Sequence, residues 1–281
     1  MKVKRKLNGK KIILLVVTLL LITTLIISLI HIFNWFSDNK NIDKEVEVIQ
    51  TKVEVNEVED NDNTQIISQP EVIEEKKEEY EFNPYWDYIG MKLINVEFSD
   101  LKQENSDVVG WVQVNGTTIN YPFVQTTDND YYLTHSFYKK NNGAGWVFMD
   151  YRNNLNELDK NTLIYGHARL NNTMFGSLRN ALKDSWINDT NNHVVKLSTQ
   201  KYNTLWQVFS VYRIPTTSDY IQTSFKDDNE FMSLIEKVKG RSAHNFNTSV
   251  GATDHILTLS TCYSSTERVV LHAKLIKRAP R

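Results

Sequence analysis

The sequence predicts a mainly β fold, a barrel or a sandwich, in the part of the chain that follows an N-terminal apolar segment. Short runs of β-branched and aromatic residues recur after residue 82, with turn residues between them, as in barrels and sandwiches. Only a few stretches have helical spacing instead. Of the 281 residues, 41% are hydrophobic, which is enough to build a sizeable core.

The N-terminal segment has the composition of a membrane anchor. Residues 12–33 form an uncharged, mostly apolar run that is long enough to span a bilayer, and aromatic residues follow it. Six basic residues precede the run: Lys2, Lys4, Arg5, Lys6, Lys10 and Lys11. The positive-inside rule therefore predicts a cytoplasmic N-terminus and an uncleaved single-pass anchor over residues 1–36, with a cleaved secretion signal as the alternative. Either version exports the rest of the chain to the cell surface.

Two further parts follow the anchor. Residues 37–81 are rich in acidic and amide side chains without a sustained hydrophobic period, so we expect a flexible tether. Residues 82–281 form one domain of about 200 residues.

The elements of this domain are predicted in order as a helix, a hairpin and then further strands. The helix covers residues 98–104, and the hairpin pairs 110–114 with 118–121 through a turn at Asn115 and Gly116. Further strands are predicted over residues 146–149, 162–165, 194–198, 205–212, 256–261 and 269–276. Helices are predicted near residues 174–182 and 228–238, where apolar residues share one face.

The single cysteine stands at the end of a predicted strand. With one cysteine the chain can form no intramolecular disulfide and no multi-cysteine zinc site. If the last two strands form an antiparallel hairpin, Cys262 and Arg268 lie opposite each other, with Cβ atoms about 5 Å apart. A guanidinium there favours the thiolate and can stabilise an oxyanion. The alternatives are a buried, inert thiol and a surface arginine.

His167 is the best placed of the seven histidines to act with this cysteine. It follows an apolar run and Gly166, so its ring is presented at a strand end. Surface or packing roles are predicted for the others outside the anchor: His135, His193, His244, His255 and His272. No two histidines have the short spacing of metal ligands, so no metal site is predicted. The formal net charge of -2 argues against nucleic-acid binding.

These motifs resemble those of the sortases. The resemblance begins with the run TLSTC that ends at Cys262, the arginine that opens the next strand, and the upstream Tyr165, Gly166 and His167. Further stretches are similar to class B members in particular: Gly110-Trp111, residues 120–125 (NYPFVQ), Asp128-Asn129 with residues 131–133 (YYL), residues 145–152 (GWVFMDYR) and residues 174–178 (MFGSL). The resemblance covers nearly the whole exported domain.

The resemblance implies a closed β-barrel of about eight strands, with added N-terminal helices and a helix before the last two strands. It implies that Cys262 attacks the carbonyl of a threonine in the C-terminal sorting motif of a secreted protein and forms a thioacyl enzyme. His167 would then serve as general acid and base, and Arg268 would hold the substrate and the oxyanion. The accepting amine would come from a cell-wall peptide or peptidoglycan precursor, or in some members from a pilin lysine. No cofactor is needed.

The resemblance also implies a substrate groove. By position within matching motifs, the groove would include Asn129, Leu133, Tyr165, Tyr220, Ile221 and Ser260. The loop between Cys262 and Arg268 is shorter than is usual in class B, so we transfer no substrate specificity.

Two other functions remain open at the level of the sequence. A hydrolytic cysteine peptidase would use the same residues, because water can resolve a thioacyl enzyme. A non-enzymatic binding or adhesion module on a tether is the other alternative. The joint presence of a cysteine, a histidine and an arginine at strand ends favours an enzyme.

Overall fold

The computed structural model describes residues 9–67, 85–154, 156, 158–262 and 266–281. Its elements before the first barrel strand are α1 (Gly9–Lys52), β1 (Val55–Val58), β2 (Gln65–Ile66), α2 (Tyr85–Ile89), β3 (Leu93–Val96) and α3 (Ser99–Glu104). The remaining elements are β4 (Val108–Val114), β5 (Asn120–Val124), β6 (Phe148–Met149), β7 (Asn161–His167), α4 (Asp184–Ile187), β8 (Val194–Thr199), β9 (Tyr202–Pro215), α5 (Asp228–Arg241), β10 (Ile256–Cys262) and β11 (Glu267–Pro280). Short 3-10 helices cover Tyr131–Leu133, Gly176–Leu182 and Thr190–Asn192.

Eight of the described strands close into a mixed barrel, in the order β10, β7, β6, β5, β4, β8, β9 and β11. Pairing of β11 with β10 completes the ring. The sequence left a barrel and a sandwich open, and the structure settles this as the closed barrel that the resemblance implied. Because β10 runs parallel to β7 and antiparallel to β11, it brings a distant part of the chain beside the C-terminal hairpin.

Alternation of side chains along the last strands separates the barrel interior from its outer face. Leu257 and Leu259 of β10 and Leu271 of β11 belong to the main core. Val270 points to the other side and packs in a second cluster with the apolar face of α5. That face consists of Phe231, Leu234, Ile235 and Val238, as its spacing predicted. The helix therefore covers the outer face of the last strands.

Helix α1 combines an apolar part with a part that is docked on the barrel. It is the one helix in the described part of the chain that is long and apolar enough to cross a membrane, and none of its most apolar window is buried, which is compatible with a membrane anchor. Beyond this window, Ile42 and Ile49 are buried in the main core together with residues of the barrel. We call residues 37–52 the docked segment.

The flexible tether expected over residues 37–81 is wrong for its described part, because residues 37–52 are helical and two strands follow them. β1 pairs with β3, and β2 pairs with β11. The cause is an apolar stripe with helical spacing, Ile42, Val46, Ile49 and Val53, which the surrounding charged residues hide in the composition. The expectation for residues 68–81 lies outside the described residues.

Most of the other predicted elements are confirmed, with shifted ends. The hairpin is formed by β4 and β5, but its loop runs from Asn115 to Ile119 and is longer than a two-residue turn. The predicted strand at 146–149 shrinks to the two residues of β6. The helix expected at 174–182 is a 3-10 helix, Gly176–Leu182. The N-terminal elements β1, α2 and β3 were not predicted from periodicity.

Candidate active site

The three residues predicted to carry the chemistry, His167, Cys262 and Arg268, lie in one row across three adjacent strands. We call this row the catalytic row after its predicted role. In the parallel pairing of β7 with β10, His167 is the partner of Cys262. In the antiparallel pairing of β10 with β11, Cys262 is the partner of Arg268. Neighbouring strands are about 4.8 Å apart, so the row spans about 10 Å with the cysteine in the middle. The predicted register of Cys262 with Arg268 is confirmed.

The His167 ring is held by one backbone group. Its Nε2–H donates to the carbonyl of Leu133 at 2.8 Å, which leaves Nδ1 as the nitrogen with the lone pair in the neutral ring. Burial lowers the pKa of His167 below its ordinary value, and the positive charges of Arg169 and Arg268 lower it further against the hydrogen bond to Leu133. The neutral ring is therefore favoured at neutral pH.

A tight turn places the Leu133 carbonyl and the His167 ring against each other. Gly145 has a φ of 59°, in the left-handed region. A Cβ at this position would lie 2.9 Å from Cδ2 of His167 and 2.4 Å from the carbonyl oxygen of Tyr132. The next residue, Trp146, donates its backbone N–H to that same carbonyl at 2.9 Å. The site thus needs a glycine here, since any side chain would push the ring away.

Asp150 links three of the residues around the predicted groove. Its carboxylate is fully buried and accepts hydrogen bonds from Asn129 Nδ2 at 3.0 Å, Tyr165 Oη at 2.9 Å and the Arg152 guanidinium at 2.7 and 2.8 Å. Burial raises the pKa of Asp150, but the hydrogen bonds from Arg152 and Tyr165 outweigh it and hold the pKa below its ordinary value. Arg152 also donates to the backbone carbonyl of Ile221 at 2.9 Å. The Asp150 carboxylate therefore connects Asn129, Tyr165 and Arg152 directly, and Ile221 through Arg152.

The remaining predicted groove residues also lie at this end. Tyr220 Oη and Ser260 Oγ share a hydrogen bond of 2.9 Å, and both residues are buried. Ser260 stands two residues before Cys262 and is the strand partner of Tyr165. Leu133 is 36% exposed and provides the carbonyl that holds His167. The six predicted groove residues therefore lie near the catalytic row in three bonded groups: Asn129, Tyr165 and Ile221 around Asp150 and Arg152, Tyr220 with Ser260, and Leu133 with His167.

A second polar group lies on the outer face of the same strands, beneath α5. We call Asn161, Tyr212, Thr258 and His272 the polar cluster. Thr258 Oγ1 donates to Asn161 Oδ1 at 2.7 Å, so it must accept from Nδ1–H of His272 at 2.9 Å. Tyr212 Oη donates to Nε2 of His272 at 2.9 Å. Burial, helped by the charge of Arg241, lowers the pKa of His272 to about 3. Its packing role, predicted from the sequence, is confirmed.

Several residues that shape the site were missed in the sequence. Asp150 and Arg152 stand two residues apart directly after β6, and this opposite-charge pair at a strand end was the available signal. Asn161 was missed because its side chain acts at a distance, donating to the carbonyl of Gln222 at 2.9 Å. Gly145 gave only the weak signal of a glycine in an aromatic run.

The arrangement suits covalent acyl transfer. A cysteine backbone position lies between a histidine with a lowered pKa and an arginine, all at strand ends. Within the described residues, no group of three or more histidine, cysteine, aspartate or glutamate side chains is placed to hold a metal ion. The described residues thus offer nucleophilic and acid–base groups for the chemistry.

Comparisons with known proteins agree with this geometry. The sortase domain family model matches residues 112–276. Sortase B of Staphylococcus aureus is 37% identical over 188 residues, which is 66% of this chain and 76% of the relative. Sortase B of Listeria monocytogenes is 37% identical over 186 residues, 65% of this chain and 75% of the relative.

Solved structures give the same result. A Staphylococcus aureus sortase B–substrate complex matches with a TM-score of 0.60 at 38% identity, over 64% of this chain and 84% of that one. Sortase B of Clostridium perfringens matches with a TM-score of 0.60 at 32% identity, over 64% of this chain and all of that one. With the closed barrel and the catalytic row, these matches establish that the chain belongs to the sortase family and is a cysteine transpeptidase of the sortase B type.

Proposed function

We propose that this enzyme cleaves a C-terminal sorting motif of secreted proteins after a threonine and transfers the acyl group to a peptide amine of the cell wall. The observation that carries the proposal is the row of His167, Cys262 and Arg268 across β7, β10 and β11. A nucleophile, a base and a cation at adjacent strand ends provide what a two-step acyl transfer requires.

In the first step, neutral His167 takes the proton of the Cys262 thiol, and the thiolate so formed bonds to the threonine carbonyl carbon. The scissile C–N bond then breaks, and its nitrogen takes a proton from the His167 imidazolium and leaves as an amine. In the second step, the incoming amine bonds to the thioester carbon and gives a proton to neutral His167. The C–S bond breaks and restores the thiolate. Arg268 stabilises the negative oxygen in both steps.

The groove for the sorting motif runs past the strand ends beside Cys262. Asn129, Leu133, Tyr165 and Ile221 are half-buried or exposed, so they have surface to offer to a peptide. Tyr220 and Ser260 are buried and bonded to each other, so their contribution is to hold the groove floor. The Asp150–Arg152 pair keeps the carbonyl of Ile221 in place.

The apolar part of α1 supports the predicted domain organisation. Residues 1–36 form the cytoplasmic tail and membrane anchor, and the catalytic domain of residues 82–281 lies outside the cell. The described part of the intervening segment packs on that domain. A truncated chain used for assays should therefore begin before the docked segment.

Mass spectrometry of the full chain in detergent tests the reaction. We would incubate it with a panel of threonine-containing sorting peptides, with and without triglycine as the amine, beside Cys262→Ala and Cys262→Ser. The expected result is an adduct on Cys262 whose mass equals the peptide up to its threonine, followed by a triglycine-ligated product, with neither in the two variants.

Other results would change the conclusion. Free acid as the sole product in the presence of triglycine would favour a hydrolytic peptidase or an acceptor other than triglycine. An adduct on no peptide, together with a Cys262 that alkylating agents ignore, would favour a non-enzymatic binding module.

A further inference from the structure

The apolar part and the docked segment belong to one uninterrupted helix. α1 runs for 44 residues from Gly9 to Lys52, without a proline in its sequence. Asp38 lies five residues beyond Phe33, the last residue of the apolar run, which is about 7 Å along the helix axis. Since nothing in the helix provides a hinge, the direction of the apolar part determines the direction of the docked segment.

Apolar contacts hold the docked segment on the catalytic domain. Ile42 and Ile49 are 0% and 1% exposed and stand two turns apart, with Val46 between them on the same face. The opposite face carries Val48, which is 40% exposed. Near the end of the segment, Gln50 Nε2 donates to the carbonyl of Asn120 at 3.1 Å. The contact therefore extends along the whole docked segment.

Polar contacts at the membrane end of this segment reach the loop that packs on His167. The Gly143 N–H donates to the Asp38 carboxylate at 3.0 Å, and Asn142 Nδ2 donates to the Asp38 carbonyl at 3.1 Å. The same turn leads to Gly145, whose N–H is bonded to the Asn142 carbonyl.

The segment that follows His167 is bound to α1 as well. Arg169, two residues after His167, donates to the side chain of Asn39, and Asn171 Nδ2 donates to Asp43 at 3.1 Å. The strand end that carries His167 is thus held at the level of the first docked turns.

We propose that α1 is a rigid strut that fixes the height and orientation of the catalytic row, close to the surface of the lipid bilayer. The inference rests on the proposed membrane anchor. It assigns the lipid surface as a boundary of the active site: the row lies beside the first docked turns, within a few helical turns of the apolar run. The enzyme would then act on peptides whose scissile bond is presented near the membrane.

Distances from the bilayer to a fluorophore test the strut. The full chain with Cys262→Ala and Leu170→Cys, whose side chain site is 75% exposed, would be labelled and reconstituted in vesicles with acceptor lipids. We expect a single narrow distance. Leu170 is level with about residue 41 of α1, because its neighbours Arg169 and Asn171 contact Asn39 and Asp43. A label on Glu54→Cys, about 13 residues beyond that level, should lie up to about 20 Å farther from the bilayer.

Insertions between Phe36 and Ser37 provide the critical comparison. Seven inserted helix-forming residues should increase the distance from the bilayer to the label at Leu170→Cys by about 10 Å. Because seven residues are about two helical turns, the catalytic domain should keep nearly the same orientation about the helix axis, and the distribution of distances should stay narrow. An insertion of ten glycine and serine residues should instead broaden the distribution of label-to-bilayer distances. The r.m.s. end-to-end length of such a flexible linker is about 17 Å. Ile42→Asp with Ile49→Asp should also broaden it, whereas Val48→Asp on the opposite face should leave it narrow.

The outcomes separate the strut from the anchor. If the chain does not float with vesicles, the membrane anchor fails and the strut fails with it. If it floats but the parent chain already gives a broad distribution, or if the helical insertion leaves the distance unchanged, the strut is overturned while the anchor stands.

Discussion

Two histidines on strands next to β10, His167 on β7 and His272 on β11, differ in how many of their ring nitrogens are hydrogen-bonded. Burial lowers the pKa of both His167 and His272. His272 uses both ring nitrogens in the polar cluster beneath α5. Within the part of the chain that the structure describes, the His167 ring has one hydrogen-bond partner, the backbone carbonyl of Leu133. A ring with both nitrogens hydrogen-bonded within the protein supports the fold. A ring with one nitrogen available to a substrate can accept and donate a proton.

The largest expected effect separates the two residues by activity. His167→Ala should lower the rate of amine ligation by about 10²–10⁴-fold, because the acid–base group is lost. The free energy of unfolding should change by less than about 1 kcal/mol, since the ring donates a single hydrogen bond at a strand end. Ligation assays and urea unfolding on the same sample measure both. A large loss of stability would erase the contrast with His272.

The reverse pattern is expected in the polar cluster. His272→Ala should lower the free energy of unfolding by about 2–4 kcal/mol, because it leaves a cavity and removes the partners of Tyr212 and Thr258. Tyr212→Phe is the milder control and should cost about 1 kcal/mol. Activity of the fraction that remains folded should stay within a few fold of the parent enzyme. Loss of activity without loss of stability would give His272 a role in the chemistry.

The Gly145→Ala variant tests whether the turn at Gly145 positions the His167 ring. Gly145→Ala should cost roughly 1–3 kcal/mol of stability because of its positive φ, and should slow ligation about tenfold by displacing the ring. Gly240→Ala is the matched control, since a Cβ there meets nothing within 4 Å and α5 favours alanine. Equal rates for the two variants would mean that the Gly145 turn does not position the ring.

Acid provides the most graded test, because the effect of His272 on stability builds up gradually with falling pH. The pKa of His272 is lowered in the folded state, so the unfolded chain binds more protons and stability falls as the pH drops from about 6.5 toward 3. His272 should contribute a slope of at most about 1.4 kcal/mol per pH unit. In urea titrations between pH 6.5 and 4.5, His272→Gln should flatten the dependence relative to the parent. An unchanged slope would show that the ring is not kept neutral by burial.

The sequence predicted the part of the site that depends on neighbouring residues. The register of Cys262 with Arg268 follows from strand alternation and a short loop, so local spacing was sufficient. That His167 stands beside the same cysteine depends on a parallel pairing between segments 95 residues apart, which no local pattern encodes. Its position at the end of an apolar strand singled out His167 among the histidines, the resemblance agreed, and the pairing of β7 with β10 explains why it stands beside Cys262.

The errors have a similar physical origin. The docked segment was expected to be solvated because charged residues dominate its composition, although Ile42, Val46 and Ile49 at helical spacing are enough to bury one face. Asp150 was overlooked because a buried carboxylate is stabilised by partners from several parts of the chain.

The position of β10 in the barrel also determines when the enzyme can become active during its synthesis. β10 lies between β7 and β11, so the catalytic row is complete only after the last strand of the chain has been added. Contacts between distant segments form slowly, since the chain loses conformational entropy in closing a long loop before the contacts can stabilise it. A partly synthesised chain that ends before β10 would therefore contain His167 without Cys262, and the thiol would meet both partners only once β11 has paired with β10.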